Sequence, residues 1–190
     1  SIHDEHSNKD SEDWEEFVSL LKRYRPKQPI NGALVTVGVD DLLNGTTNIA
    51  EIAVELRKRI HEMRTKLGID FPLYLMVTKL DLLHGFNPFF KHLTEEQSKQ
   101  YFGISLASNE GAETPIATAS NLLSEVVDKL RISMLGTVNE LESSEDKAAA
   151  FAFPEEFERL NHAVLSLLKE LSKSSKFEDS IVWRGVYFSS

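Results

Sequence analysis

The sequence predicts an α/β fold in which a parallel sheet is joined to an all-helical subdomain. Residues 33–39 and 73–77 are short, apolar and rich in β-branched side chains, as strands buried on both faces are. A long amphipathic helix pattern lies between them, and the order strand, helix, strand predicts two neighbouring parallel strands. Two further amphipathic patterns, at 119–142 and 155–172, follow without a strand between them, which predicts a helical region.

The composition limits the function classes. The chain has 190 residues with 41% hydrophobic side chains, enough for one domain with a modest insertion. It contains no cysteine, which excludes disulfides, thiolate metal sites and a thiol nucleophile. The net charge is −9, and residues 1–16 hold seven acids and one lysine, so the other 174 residues carry only −3. A chain that is acidic and has no basic stripe is not expected to bind nucleic acid.

The N-terminal segment is predicted to be a flexible acidic tail over 1–12, followed by a first helix over 13–24 that Pro26 and Pro29 terminate. The apolar residues of that helix recur at helical spacing and predict one buried face: Trp14, Phe17, Val18, Leu21 and Tyr24.

The helix between the two strands has clear end signals. Asn48 with Glu51 three residues later resembles a capping box, and Gly68 stands where a helix-ending glycine belongs. Its apolar stripe comprises Ile49, Ile52, Ala53, Leu56, Ile60, Met63 and Leu67. No uninterrupted apolar stretch approaches the roughly 20 residues that a membrane-spanning helix needs.

The second half is predicted to leave the sheet and return to it. Residues 82–90 are dense in aromatics and predict a short helix on the sheet edge, with Phe86, Phe89 and Phe90 in the core rather than on a docking surface. A small, polar loop is predicted from 105 to 118, and Pro154 with two following glutamates predicts a helix start. Residues 181–190 predict a last strand that rejoins the sheet.

The predicted division is therefore an α/β domain formed by 13–105 plus 177–190 and a helical subdomain formed by 106–176. We find no internal repeat, which favours an insertion over a duplication.

The polar residues at the end of the second strand carry the most specific chemistry in the chain. Residues 78–81 fit (Asn/Thr)-Lys-x-Asp, which in G domains follows a buried parallel strand and binds the guanine base. Asp81 would accept two hydrogen bonds from the base, and the stem of Lys79 would lie over the base or sugar. The predicted base-binding residues are Thr78, Lys79 and Asp81, although the same residues would also serve simply to cap the strand end.

The remainder of a nucleotide site is missing from the sequence. No Gly-Lys dipeptide occurs, so there is no phosphate loop, and none of the nine glycines has an aspartate three residues before it, so there is no Asp-x-x-Gly. We therefore assign no catalytic and no metal-ligating residue and expect no hydrolysis by this chain. His61, His84, His92 and His162 are scattered.

Four blocks of the chain resemble one family, the TssM/IcmF inner-membrane components of type VI secretion systems. The blocks are residues 25–32 with Trp14 and Phe17 upstream, 71–74 with 78–90, 151–157, and 184–190. The resemblance implies an NTPase-like, G-domain or P-loop-like sheet, incomplete here because the family's phosphate loop and Asp-Thr-Ala-Gly segment lie upstream, together with a helical subdomain.

The resemblance also implies a location and partners. It places this segment in a large loop on the cytoplasmic side of the bacterial inner membrane, in a scaffold that joins a TssL/DotU-like protein, baseplate components and, through the rest of the parent protein, TssJ. The leading hypothesis is a structural scaffold that binds proteins and needs no cofactor in this segment. The alternative is a switch domain that binds GTP or ATP with Mg²⁺ in the intact protein.

Overall fold

A computed structural model describes residues 16–43, 48–92, 102–106, 114–173 and 181–190. The predicted tail over 1–12, Trp14 and residues 107–113 of the predicted 105–118 loop lie outside these residues. The loop prediction is wrong at both ends, because Ser105 belongs to β3 and residues 115–118 begin α5. The helices are α1 (residues 16–24), α2 (Val39–Leu43), α3 (Ile49–Leu67), a 3₁₀ turn (Leu80–Leu82), α4 (Phe86–Phe90), α5 (Pro115–Glu140) and α6 (Ser144–Leu171). The strands are β1 (Ala33–Gly38), β2 (Leu73–Thr78), β3 (Phe102–Ser105) and β4 (Trp183–Phe188).

The four strands form one sheet in the order β1-β2-β4-β3. The α/β class and the return of the last strand to the sheet are confirmed, because β1, β2 and β4 run parallel with β4 directly beside β2. The prediction of a wholly parallel sheet is wrong, because β3 pairs antiparallel with β4. We did not predict β3 from the sequence, since four residues that include Gly103 are a weak strand signal until β4 supplies the hydrogen-bond partners.

The β1–α3–β2 unit follows the sequence closely. The side chain of Asn48 caps α3 by accepting a hydrogen bond from the amide of Ala50 at 3.0 Å. Gly68 ends the helix with φ 69°, a left-handed conformation that costs glycine little, and its amide donates to the carbonyl of Arg64. β1 is one residue shorter than predicted, because Val39 already belongs to α2.

The two long helices form an antiparallel hairpin connected by only three residues, Leu141–Ser143. The prediction that Pro154 starts the second helix is wrong, because Pro154 is buried inside α6. The helix instead begins after Ser143, whose hydroxyl accepts hydrogen bonds from the amides of Glu145 and Asp146. This cap and the following alanines stabilise the added turns and outweigh the hydrogen bond that the proline cannot make.

Aromatic side chains connect the short helix to the hairpin. The rings of Phe86, Phe89 and Phe90 lie 5.9, 4.8 and 5.4 Å from that of Phe153, which is fully buried. Their predicted place in the core is confirmed. The predicted location of the short helix needs correction: α4 packs mainly on α6, and Phe90 also contacts the edge strand through the ring of Phe102 at 6.1 Å.

The first helix buries a narrower face than its spacing predicts. Val18 is buried and Leu21 is partly buried, whereas Phe17 and Tyr24 are 50% and 78% exposed. The buried residues of the sheet, α3, α5 and α6 form one hydrophobic cluster. The division into an α/β domain and a helical subdomain remains a prediction.

Candidate functional site

The carboxyl ends of the three parallel strands meet at one edge of the sheet. Gly38 is paired with Thr78, and Val77 with Phe188, so β1, β2 and β4 end at the same level. Such an edge is the usual location of ligand sites in parallel α/β sheets. The predicted residues Thr78, Lys79 and Asp81 lie here, as the sequence requires of residues that follow β2.

The backbone after β2 is fixed from two sides. The amide of Leu80 donates to the carbonyl of Ser189 at 3.0 Å, and the amide of Ser189 donates to the carbonyl of Val77 at 2.8 Å. On the other side, the Thr78 hydroxyl donates to the carbonyl of Val37 at 3.5 Å. The end of β2 is therefore held by both neighbouring strands. Ser189, which we did not predict, contributes through its backbone.

Lys79 has an unusual backbone conformation. Its φ of 63° and ψ of 40° lie in the left-handed region, and it is the sole residue other than glycine with positive φ among those that the structure describes. Long side chains rarely adopt this conformation, so surrounding contacts must hold it in place. Lys79 directly precedes the 3₁₀ turn that contains Asp81.

The side chain of Lys79 is held by a residue that we did not predict. Its ammonium donates to Asp40 Oδ2 at 2.7 Å, although both side chains are partly exposed. The hydrogen bond from Lys79, together with its charge, lowers the pKa of Asp40 below the ordinary 3.8. By the same contact, Asp40 raises the pKa of Lys79 above 10.5.

Two features beside this ion pair show how closely α2 packs on the strand end. The amide of Gly38 donates to Asp41 Oδ2 at 3.2 Å. A Cβ atom at Gly38 would lie 2.2 Å from Asp40 Oδ1, so a residue with a side chain would displace this carboxylate. Asp40 Oδ1 is buried and has no hydrogen-bond partner in the structure. The sequence signal for this contact is the pair Asp40 and Asp41, which directly follows the strand predicted through Val39.

Asp81 differs from its neighbours. It is exposed, and within the described part of the chain its side chain takes part in no recorded hydrogen bond or ion pair. The structure thus brings Lys79 against Asp40 and leaves the Asp81 carboxylate accessible to solvent. Its role in binding a base stays a prediction.

The described residues show no group of three or more His, Asp or Glu side chains that could hold a metal ion. His61, His84, His92 and His162 are all exposed and lie on different elements. None of the described helices combines the length and hydropathy needed to cross a membrane.

Comparison with known proteins identifies the family. Residues 7–190 match the IcmF-related N-terminal domain. The chain is 32% identical over 190 residues to the type VI secretion system component TssM1 of Pseudomonas aeruginosa, an alignment that covers 98% of this chain and 17% of TssM1. The chain thus spans about a sixth of the length of this curated relative. No solved structure matches. On the family model and the near-complete alignment, the chain belongs to the TssM/IcmF family.

Proposed function

We propose that this chain is a structural part of a type VI secretion membrane complex and acts there through contacts with other proteins. The single observation that carries this proposal is the similarity to TssM1 over 98% of the chain, which includes both the sheet and the helical hairpin. Its setting is the cytoplasmic side of the inner membrane. Its partners are a TssL/DotU-like inner-membrane protein and baseplate components, with TssJ bound through the rest of the parent protein.

The chemistry at the sheet edge supports a scaffold over an enzyme. The shortest polar contact there joins two side chains of the chain itself, Lys79 and Asp40, at 2.7 Å. The sequence holds neither a phosphate loop nor Asp-x-x-Gly, and phosphoryl transfer depends on the positioning and electrostatics that those segments supply. We therefore propose that the chain alone is not an enzyme and needs no cofactor.

A binding experiment with two partners tests the scaffold proposal. The chain is expected to copurify with the cytoplasmic part of the TssL/DotU-like protein from the same gene cluster and to leave TssJ unbound under identical conditions. If neither protein binds at concentrations up to about 100 µM, where even weak complexes form, the proposal fails. Binding of both alike would indicate nonspecific adhesion and would equally contradict it.

A second function, nucleotide binding, is favoured by one specific observation. Asp81 is exposed at the carboxyl edge of a parallel strand, two residues after a lysine in a left-handed conformation, and forms no side-chain hydrogen bond or ion pair with any residue that the structure describes. The proposed ligand is GTP or ATP with Mg²⁺ in the intact protein, with Thr78, Lys79 and Asp81 around the base. The corresponding fold proposal is a G-domain or P-loop-like sheet that is incomplete in this chain.

The two faces of the sheet support that fold proposal. On one face Leu73, Leu75 and Val77 are fully buried, but on the other Leu34 is 54% exposed beside its half-buried neighbour Tyr74. Parallel sheets are usually covered on both faces, so a larger assembly of sheet and helices around β1 would explain the exposed leucine.

Titration distinguishes the two functions. We expect no binding of GTP or ATP to this chain at up to about 1 mM, the weak end of specific affinities. Micromolar binding that Asp81→Ala abolishes would favour the nucleotide switch. Binding that Asp81→Ala leaves unchanged would refute the proposed base-binding residues without affecting the scaffold proposal.

A further inference from the structure

The segment between α1 and the first strand carries a concentration of positive charge. Residues 22–27, which we call the basic segment, contain four bases: Lys22, Arg23, Arg25 and Lys27. No acidic residue occurs from Phe17 to Val39, in a chain whose net charge is −9. The net charge of the whole chain, from which we expected no basic stripe, conceals this short cluster.

None of the four bases is paired with an acid in the part of the chain that the structure describes. Arg23 and Lys27 are exposed and form no hydrogen bond or ion pair with any described residue. The ammonium of Lys22 donates to a backbone carbonyl of α3 at 3.4 Å, and the guanidinium of Arg25 donates to an asparagine side chain at 3.4 Å. Both acceptors are uncharged, so the four positive charges are available to an anionic partner.

Contacts with α3 place the basic segment at one edge of the sheet. A Cβ atom at Gly68 would lie 3.7 Å from Lys22 Nζ, so the end of α1 lies against the end of α3. The segment then leads to β1, where the amide of Ala33 donates to the carbonyl of Pro72 just before β2. The basic segment therefore lies at the edge where the parallel strands begin, and the candidate ligand site lies at the other edge.

The outward face of α1 adds apolar side chains beside these charges. Phe17, Leu20 and Tyr24 recur at helical spacing and are 50%, 42% and 78% exposed. Val18, on the inward face, is buried. Arg23 lies one turn from Leu20 and therefore on the same side. Apolar side chains flanked by long basic ones are the combination that amphipathic segments present to a membrane surface.

We propose that the basic segment and the outward face of α1 form a docking surface for an anionic lipid bilayer. The four bases contact the lipid phosphates, and the ring of Tyr24 lies at the level of the headgroups. The choice of a membrane rests on the proposed setting of the chain at the inner membrane. The contact itself goes beyond the proposed function, because it requires neither a TssL/DotU-like protein nor a nucleotide.

The side chains favour a bilayer over an acidic protein as the occupant. Half of the bases are lysines, which are depleted in protein–protein interfaces, whereas their long stems suit a membrane surface. Tyr24, the most exposed of the apolar residues, is of a type enriched at membrane–water interfaces. The four bases contribute +4 to the total of −9, so the rest of the chain carries −13. An anionic bilayer repels that remainder, so the basic edge faces the lipid.

Cosedimentation of the whole chain with lipid vesicles tests the proposal. Because each base near an anionic surface strengthens binding about fivefold, half of the chain should bind at roughly 1 mM accessible lipid when about 30% of the lipid is phosphatidylglycerol. Vesicles of pure phosphatidylcholine should bind none. The whole chain is used so that the seven acids of residues 1–16 compete as they do in the protein.

Two double variants with the same change of charge test the position of the contact. Arg23→Gln combined with Lys27→Gln should weaken binding to the anionic vesicles about 25-fold. The matched control is Lys129→Gln combined with Lys169→Gln, which removes two exposed lysines from α5 and α6 and should weaken binding less than about twofold. Circular dichroism confirms that each variant is folded.

The apolar contact has its own test. Tyr24→Ala should weaken vesicle binding about threefold or more, and Phe151→Ala, which removes a 60% exposed ring from α6, should leave it unchanged. Absence of binding to anionic vesicles, equal losses from the two double variants, an unaffected Tyr24→Ala variant, or tighter binding to polyglutamate than to vesicles would overturn the proposal. The vesicles contain no partner protein and no nucleotide, so each of these results is independent of the tests of the proposed function.

Discussion

The two halves of the segment from Thr78 to Phe90 differ in what holds them. In the first half, Lys79 and Asp81 are exposed and Lys79 forms an ion pair with Asp40, while the amide of Leu80 donates to Ser189 and the side chain of Leu80 is buried. In the second half, Gly85 and Phe89 are buried against α6. One continuous sequence block thus carries two physical roles. The second half packs in the core against α6, and the first half carries exposed polar side chains at the sheet edge.

Gly85→Ala tests the buried half and is expected to have the largest effect. Gly85 has φ 83°, and a Cβ atom there would lie 2.1 Å from the carbonyl oxygen of Ala149. Because that oxygen belongs to the backbone of α6, the helices must separate. We expect a loss of about 3 kcal/mol or more in the free energy of unfolding, measured with urea.

Gly136→Ala is the matched control for this experiment. Gly136 lies inside α5 with open space around it, so alanine should stabilise the chain by about 0.5–1 kcal/mol. A Gly85→Ala variant within about 1 kcal/mol of the parent would contradict the close packing of α4 on α6.

Phe153→Ala and Phe151→Ala sharpen the same comparison within one helix. Phe153 is fully buried among the rings of α4, so its removal should cost about 3–5 kcal/mol. Phe151 is 60% exposed, and its removal should change stability by no more than about 0.5 kcal/mol when measured at low micromolar concentration. Equal losses for both variants would show that Phe151 belongs to the core.

The Asp40–Lys79 ion pair at the polar end of the segment is expected to have the smallest effect on the free energy of unfolding, and that effect depends on pH. The lowered pKa of Asp40 means that its ion pair stabilises the fold above its ordinary pKa of 3.8 and that this stability is lost as pH falls through the lower folded value. The raised pKa of Lys79 means that the same contribution persists below 10.5 and is lost only as pH rises through the higher folded value.

Asp40→Asn tests this assignment. The variant should be slightly less stable than the parent at neutral pH, and the difference should shrink as pH falls from 7 to 3. Urea midpoints at each pH measure it, with Glu55→Gln as the control, because Glu55 forms only an exposed pair within α3. A difference that grows on acidification would refute the role of the ion pair.

Local sequence patterns predicted the secondary structure correctly where the spacing and capping residues lie within the segment itself. The apolar strands β1 and β2, and α3 with its asparagine cap and terminal glycine, follow from spacing and capping within the segment itself. The residues Thr78, Lys79 and Asp81 were placed at a sheet edge for the same reason, since they follow a recognisable strand. Their chemical role remains a prediction.

The errors occurred where distant contacts outweigh local preference. β3 is short and contains a glycine, and it exists because β4 pairs with it. Pro154 is typical of a helix start. The Ser143 cap and the alanines that precede Pro154 nevertheless extend α6 by ten residues on the N-terminal side of the proline. Asp40 follows a strand like many surface aspartates, and only the parallel pairing of β1 with β2 brings it to Lys79.

The sequence by itself therefore determined the α/β class, the parallel strand pair, the long helices and the family, because periodicity, caps and motif blocks are properties of neighbouring residues. Tertiary structure alone decided the mixed sheet, the Asp40–Lys79 pair and the exposed position of Phe151 beside buried Phe153. Each of these depends on which segments meet in space. Hydrogen bonds and buried area between distant segments stabilise these contacts. No single stretch of the chain contains both partners, so local patterns do not predict them.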